Sequence, residues 1–244
     1  MTDAGSLASR GLRLACRRRA GCGPTIVFLP GYMSDMEGGK ATALDTWAAS
    51  EGRATLRFDY GGCGASEGAF ENQSLAGWRD DTHAAIDSVT GPVLLVGSSM
   101  GGWLMLLAAL ARPERVIGLV GIAAAPDFTS WGFSDEEKRI ILEEGRLAEP
   151  SPYGDEPYVT TRTFWESGET LTLLGAEIAI NCPVRLLHGL EDQDVPWRLS
   201  LDLLHRLRSP GVQTTLVKGG DHRLSRPGDI ALLIAAVGQM LEPQ

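Results

Sequence analysis

The run Gly91-Pro92-Val93-Leu94-Leu95-Val96-Gly97-Ser98-Ser99-Met100-Gly101-Gly102-Trp103, continued by an apolar stretch to Ala111, decides the fold. Gly91-Pro92 is a turn signal. Val93–Val96 is a short unbroken aliphatic run, the pattern of a strand buried on both faces, and Trp103–Ala111 has the composition of a buried helix. Between them stands Gly-x-Ser-x-Gly, centred on Ser99. A chain that leaves a strand and enters a helix within so few residues must turn sharply enough to strain its central residue. Small residues two positions before and after relieve the clash and hold the Ser99 hydroxyl above the strand end, where it can act as a nucleophile. Ser98 falls one residue early in that spacing and is read as structural.

Working outward, short β-branched or aliphatic runs recur at Thr25–Leu29, Ala54–Asp59, Val116–Ile122, Val184–Leu187 and Gln213–Val217. Helical patterns alternate with most of them at Lys40–Ser50, Leu75–Ser88, Gly101–Ala111, Leu199–Arg208 and Gly228–Leu241. This alternation predicts an α/β fold, a mostly parallel central sheet with helices on both faces. It lapses between Ala125 and Asn181, a stretch too long for a plain loop. That stretch holds a charged helix candidate, Ser134–Arg146, together with Phe128, Trp131, Phe133, Phe164 and Trp165. It is read as a mostly helical cap, residues 126–181, inserted into a single domain of residues 1–244, with the five aromatics as candidate walls of a substrate pocket. Near the N-terminus, Arg10, Arg13, Arg17, Arg18 and Arg19 faintly resemble a mitochondrial presequence. Leu12, Leu14 and Cys16 alternate with polar neighbours, however, and this period of a half-exposed edge strand is the preferred reading.

A serine hydroxyl is a poor nucleophile at neutral pH, so it needs a base, and the base needs an orienting carboxylate. Val184–Leu187 runs into His188-Gly189-Leu190-Glu191-Asp192-Gln193-Asp194-Val195-Pro196, and Gln213–Val217 into Gly219-Gly220-Asp221-His222. Both loops follow strands, at the sheet edge where open parallel sheets bind ligands. His222 is the candidate base, because His83 and His205 fall inside helical patterns and His188 abuts its strand, where its ring would brace the acid loop. Asp192 is the first choice of acid. Glu191 and Asp194 are its neighbours, Asp194 being readable as a cap for a helix starting near Pro196, and Asp127 is the alternative after the preceding strand. The developing negative charge of a tetrahedral intermediate needs backbone donors, for which the Met100 and Tyr32 amides are the candidates, Gly31 letting the chain bend. The pattern calls for no metal and no cofactor.

The 244 residues carry 22 Lys plus Arg against 31 Asp plus Glu, a net charge of −9. Nothing supplies a broad basic face, which argues against binding a nucleic-acid backbone. Hydrophobic residues make up 43% and charged residues 22%, ordinary globular values, and no apolar run approaches the roughly 20 residues of a membrane span. Cys16, Cys22, Cys63 and Cys182 form no Cys-x-x-Cys pair, which points to a reducing compartment. The expected location is the cytoplasm, or the mitochondrion for a eukaryotic source.

Together these motifs resemble the α/β-hydrolase superfamily, whose members order nucleophile, acid and histidine in this way. Gly31-Tyr32-Met33-Ser34-Asp35-Met36 with Lys40-Ala41, Arg57-Phe58-Asp59-Tyr60 with Gly62-Cys63-Gly64, Trp78-Arg79, Asn181-Cys182-Pro183 and Asp221-His222-Arg223 narrow the likeness. They are similar to one subfamily, that of the tenth alpha/beta-hydrolase-domain protein, over about residues 25–240. The resemblance implies a palmitoyl-protein thioesterase that is also an acyl-glucuronide esterase, with Ser99, Asp192 and His222 as the triad. Its substrate would be a small-molecule or S-acyl-protein ester or thioester. Gly132–Glu177 follows no pattern of that subfamily, so the likeness says least about substrate identity. Two rivals are weighed against it. A peptidase or amide hydrolase of the same fold would need a substrate anchor such as Glu136, Glu137, Glu143 or Glu144, and a non-catalytic ligand-binding relative would lack a triad member. Dehalogenases and epoxide hydrolases resembling this fold place Asp where Ser99 stands.

Overall fold

A computed structural model describes residues 2–150 and 157–242. In chain order the described elements are β1 (Asp3–Ser9), β2 (Leu12–Arg19), β3 (Cys22–Leu29), α1 (Gly39–Ser50), β4 (Arg53–Phe58), α2 (Leu75–Asp87), β5 (Val93–Ser98), α3 (Met100–Ala111) and β6 (Val116–Ile122). They continue as α4 (Phe128–Trp131), α5 (Asp135–Glu144), β7 (Arg146–Glu149), β8 (Tyr158–Thr161), α6 (Arg162–Glu169), β9 (Val184–Gly189), α7 (Arg198–Arg206), β10 (Val212–Val217) and α8 (Pro227–Leu241). The central sheet has the order β1-β2-β4-β3-β5-β6-β9-β10. From β4 to β10 its neighbours are parallel, while β2 pairs antiparallel with both β4 and β1. This is the α/β architecture the alternation predicts.

Successive strand residues point to opposite faces, so an unbroken apolar run is stable only if both faces are covered. Val27 and Leu29 of β3 and Val93 and Leu95 of β5 pack into one buried cluster with residues of α2 and α3, such as Trp78 and Leu104. Ile26 and Phe28 of β3 and Leu94 and Val96 of β5 pack into another, with Leu44 of α1 and Val237 of α8. The total accessible surface is 10774 Å², close to the ~10,500 Å² expected for a chain of this mass.

The sheet edge differs from the sequence reading. β2 is not the edge strand; β1 lies outside it, with Leu7 opposite Leu14. Arg10 and Gly11 join the two with φ of 49° and 79°, the positive values a two-residue hairpin turn requires. The residues of β1, Asp-Ala-Gly-Ser-Leu-Ala-Ser, include no β-branched or aromatic side chain and so give no strand signal. Four of the five arginines of this region are taken up by ion pairs, Arg10 with Asp81, Arg13 with Glu67, Arg17 with Glu37 and Arg19 with Asp45, and Arg18 donates to Ser88 O at 3.0 Å.

Between β6 and β9 the chain is not mostly helical: β7 and β8 form an antiparallel ribbon among α4, α5 and α6. Residues 151–156 of the stretch 126–181 lie outside the described residues, as do Met1 and residues 243 and 244 of the 1–244 span. The charged helix candidate is α5. Ser134 and Glu137 form a reciprocal capping box at its start, and Gly145, at φ 85°, ends it, so Arg146 belongs to β7.

Asp81 is fully buried, takes Arg10 in a two-pronged contact and accepts from the Gly61 amide. Asp81→Ala is expected to lower unfolding free energy in urea by about 3–5 kcal/mol, because it leaves Arg10 and an amide uncompensated. Glu67→Ala, which breaks an exposed pair, should cost no more than about 1 kcal/mol.

Candidate functional site

β3, β5, β6, β9 and β10 run parallel, so the loops that follow them converge on one edge of the sheet. Met33, Ser99, Ala123, Asp127 and Leu224, five of the six non-glycine residues with positive φ among the described residues, lie in these loops. Such conformations cost about 1–3 kcal/mol each and persist only where the surroundings impose them.

Ser99 is held at φ 54° and ψ −119° between β5 and α3. Its amide donates to Ile122 O at 2.9 Å, and its carbonyl accepts from Gly102 N at 2.8 Å and Ala125 N at 3.1 Å. The two glycines of the motif are needed for close approach: a Cβ at Gly97 would come within 2.4 Å of Gly101 O, and one at Gly101 within 2.1 Å of Leu29 O. Ser98 is buried in the strand, whereas Ser99 is half-buried and lines a cavity.

Asp192 and His222 meet across the two loops after β9 and β10. His222 Nδ1 lies 2.9 Å from Asp192 Oδ2. The same oxygen lies 3.0 Å from Nε2 of the fully buried His188, which is also 3.0 Å from Val195 O. Carbonyl and carboxylate oxygens only accept, so His188 Nε2 carries a hydrogen and donates to both. His188 Nδ1 lies 2.7 Å from Ser200 Oγ on α7. Asp192 Oδ1 accepts from the amides of Asp194 and Val195 at 2.9 and 2.8 Å. Burial opposes ionisation of this carboxyl, but the hydrogen bonds from His188 and His222 outweigh it and hold its pKa well below the usual range.

Asp194 donates its amide to Asp192, and their ligand atoms and that of His222 lie within 4.8 Å of one another. Asp127 is engaged elsewhere, accepting the amides of Leu173 and Leu174 at 2.7–2.9 Å. Among the described residues no hydrogen bond joins Ser99 Oγ to His222; the two side chains face one cavity.

The Met100 and Tyr32 amides, singled out as oxyanion donors, make no bond to a backbone carbonyl among the described residues. Gly31 serves through closeness: a Cβ there would stand 3.3 Å from Ser98 O and 3.4 Å from Ser99 Cβ. The loop is clamped at Met36, whose amide donates to Asp59 Oδ1 at 2.7 Å and whose carbonyl accepts from Arg57 at 2.6 Å. The Tyr32 ring is surrounded by Phe70, Trp78, Phe128, Tyr158 and Phe164, and its hydroxyl donates to Val159 O at 2.5 Å.

Beside Ser99 lies a cavity of about 250 Å³ walled by Ala125, Phe128, Trp131, Phe133, Tyr158 and Val195. Three of the five predicted aromatics are therefore in its wall and two are not. Phe164 is buried against Tyr32, Trp78 and Phe128, and Trp165 donates its indole N–H to Thr129 O at 2.9 Å. Helix α6 turns both toward the packing of the fold instead of the cavity. Tyr158, which belongs to no recognisable motif, and Val195, read in the sequence only as part of the acid loop, are wall residues that were not anticipated.

Residues 26–235 match the alpha/beta hydrolase family. The chain belongs to that family. It is 43% identical over 234 residues to the palmitoyl-protein thioesterase ABHD10, mitochondrial, of Rattus norvegicus, covering 94% of this chain and 79% of that one. The structure of alpha/beta hydrolase domain-containing protein 10 from mouse superposes with a TM-score of 0.91 at 41% identity, covering 98% of each chain. A crystal structure of a protein from Agrobacterium vitis S4 gives a TM-score of 0.92 at 39% identity over 99% of each chain. Membership of the family, the likeness to ABHD10 and the mostly parallel sheet agree with the sequence reading. Among the described residues no helix is long and apolar enough to cross a membrane.

The depressed pKa of Asp192 has a measurable consequence. A carboxyl whose folded pKa lies below its unfolded value of about 3.9 adds stability above that pH and loses it as the pH falls toward the folded value. In a series of urea midpoints, the native protein should lose stability below about pH 4, and Asp192→Asn should flatten that limb. His188→Leu, which strips Asp192, Val195 O and Ser200 of a shared partner, should cost at least about 2 kcal/mol by the same measurement.

Proposed function

We propose that the chain is a serine hydrolase that cleaves carboxylic thioesters and esters through an acyl-enzyme, with Ser99 as nucleophile, His222 as base and Asp192 as its orienting acid. The observation that carries this reading is Ser99 on a strained strand-to-helix turn, sharing one cavity with a histidine whose far nitrogen is held by a buried carboxylate. A rotation of the Ser99 hydroxyl toward His222 Nε2 lets the ring take its proton as Oγ attacks the acyl carbon. Asp192, unable to accept that proton at neutral pH, fixes the tautomer and stabilises the imidazolium. The Tyr32 and Met100 amides would receive the oxyanion. Collapse expels the thiol or alcohol with the proton from His222, and water then repeats the cycle on the acyl-enzyme.

The printed name of the rat relative, a palmitoyl-protein thioesterase, supports the thioester side of this reading. The 126–181 stretch serves as a cap, supplying Phe128, Trp131, Phe133 and Tyr158 to the acyl cavity. At about 250 Å³ that cavity lies near the lower end of ligand-sized pockets, which run from roughly 300 to 1,000 Å³, and suits medium acyl chains.

Ser99→Ala should lower kcat/KM by on the order of 10⁴-fold or more with the fold intact, and should abolish labelling by a fluorophosphonate. Retention of more than about a tenth of the native rate would end the nucleophile assignment. Asp192→Asn should cost on the order of 10⁴-fold in kcat and Asp194→Asn far less; the reverse ranking would move the acid. Across p-nitrophenyl esters, kcat/KM should climb about three- to fourfold per methylene, at roughly 0.8 kcal/mol each, until the cavity fills. Trp131→Ala or Phe133→Ala should flatten that climb, whereas Trp165→Ala should leave its slope alone.

A further inference from the structure

A second cavity, of about 320 Å³, meets the acyl cavity along Tyr32, Ser99, Tyr158 and His222 and differs from it in charge. It is lined by Ser34, Asp35, Lys40, Arg223 and Ser225 where the first presents aromatic rings. Lys40 lies in the first turn of α1, and its Nζ donates to Arg223 O at 2.5 Å, tying α1 to the residue after His222. The side chain is half-buried, and among the described residues it makes no ion pair. The acids around it are engaged by other groups. Asp229 pairs with Arg226, Asp221 accepts the Leu224 amide, and Asp35 accepts the amide of Glu37. Burial, reinforced by the charge of Arg223, pushes the Lys40 pKa down to about 8, and Asp221 and Asp229 only partly offset it.

A desolvated ammonium without a counter-ion is unfavourable, and an anion entering the cavity would relieve that cost. The net charge of −9 does not prevent this. Charges are screened over about 8 Å at physiological ionic strength, so the potential inside the lobe is set by the nearby groups, Lys40 and Arg223 against Asp35, Asp221 and Asp229, and not by the net charge of the chain. The position fixes what the anion belongs to. With the acyl chain in the aromatic lobe, the group departing from the acyl carbon next to His222 leaves into the second lobe.

We propose that this second lobe receives the leaving group and selects one bearing a carboxylate close to the scissile sulfur or oxygen, with Lys40 as the specificity-determining residue. The proposal rests on the hydrolase reading above. The substrates it favours are acyl thioesters of acidic thiols, including S-acyl cysteines flanked by Asp or Glu.

The test uses octanoyl thioesters of 3-mercaptopropionate, its uncharged analogue 3-mercaptopropanamide and the cationic thiocholine, with full-length protein. The acid should exceed the amide in kcat/KM by about tenfold, the range of one hydrogen bond to a charged group, and thiocholine should be poorest. Lys40→Met should bring the acid-to-amide ratio near one and Lys40→Arg should preserve it, each variant melting within a few degrees of the native protein. The S-octanoyl tripeptides Asp-Cys-Asp and Asn-Cys-Asn separate the sources. The same ratio there assigns the carboxylate to a protein substrate, and a ratio confined to the small thiols assigns it to a small acid. Equal rates for acid and amide, or a ratio unchanged in a folded Lys40→Met, overturn the proposal while leaving the hydrolase reading standing. If Lys40→Met does not fold, the native ratio serves: it should fall as pH rises through about 8 and the ammonium is lost, and a ratio level to pH 9.5 is the overturning result. Failure of all three thioesters, together with no fluorophosphonate labelling of Ser99, refutes the hydrolase reading and this proposal with it.

Discussion

The turn at Ser99 sets the geometry to which every other part of the site is fitted. A non-glycine residue at φ 54° is held there by hydrogen bonds from β6 and from its own helix, and by two glycines that let β5, α3 and the end of β3 come together without side chains between them. Any atom added at Gly101 would push against the Leu29 and Pro30 carbonyls, and through them against the loop that carries Tyr32. Position of the serine and position of the candidate oxyanion donors are thus one packing problem. The strain is small beside the burial that surrounds it, which is why the fold can maintain it.

Asp192 is the electrostatic counterpart of that turn. Its two oxygens collect hydrogen bonds from two histidine rings and two amides, so its charge is stabilised and its orientation is fixed before any substrate arrives. His188 contributes from beneath, anchored to Ser200 on α7. The acid loop is therefore fastened to the body of the protein independently of His222, which leaves the ring of His222 oriented by a rigid partner.

The inserted stretch is joined to the site through aromatic packing. Tyr32 stands at the centre of a group of rings drawn from α2, α4, α6 and β8, and its hydroxyl reaches the backbone of β8. Movement of the ribbon would be felt at a residue that lines the same cavity as Ser99. On the far side of Ser99 the lining changes from mostly aromatic rings to polar and charged groups, with Ser34, Asp35, Lys40 and Arg223 among them.

The amino-acid sequence by itself determined the class of fold and most of the residues that meet at the site. Unbroken aliphatic runs have only one stable setting, a sheet covered on both faces, and glycines flanking Ser99 have only one use at a strand-to-helix junction. Those are local constraints, legible over a few residues. The tertiary structure alone decided what depends on residues distant in the chain. β1 has no local strand signal and exists because the Arg10-Gly11 turn lays it against β2 and Arg10 reaches Asp81. Phe164 and Trp165 share composition with Phe128 and Trp131, yet the rotation of α6 sends the first pair into packing and leaves the second at the cavity. The choice among neighbouring acids was likewise open in the sequence. It is narrowed by distance across 30 positions of chain, since the Asp192 carboxylate oxygen is the one hydrogen-bonded to His222 Nδ1.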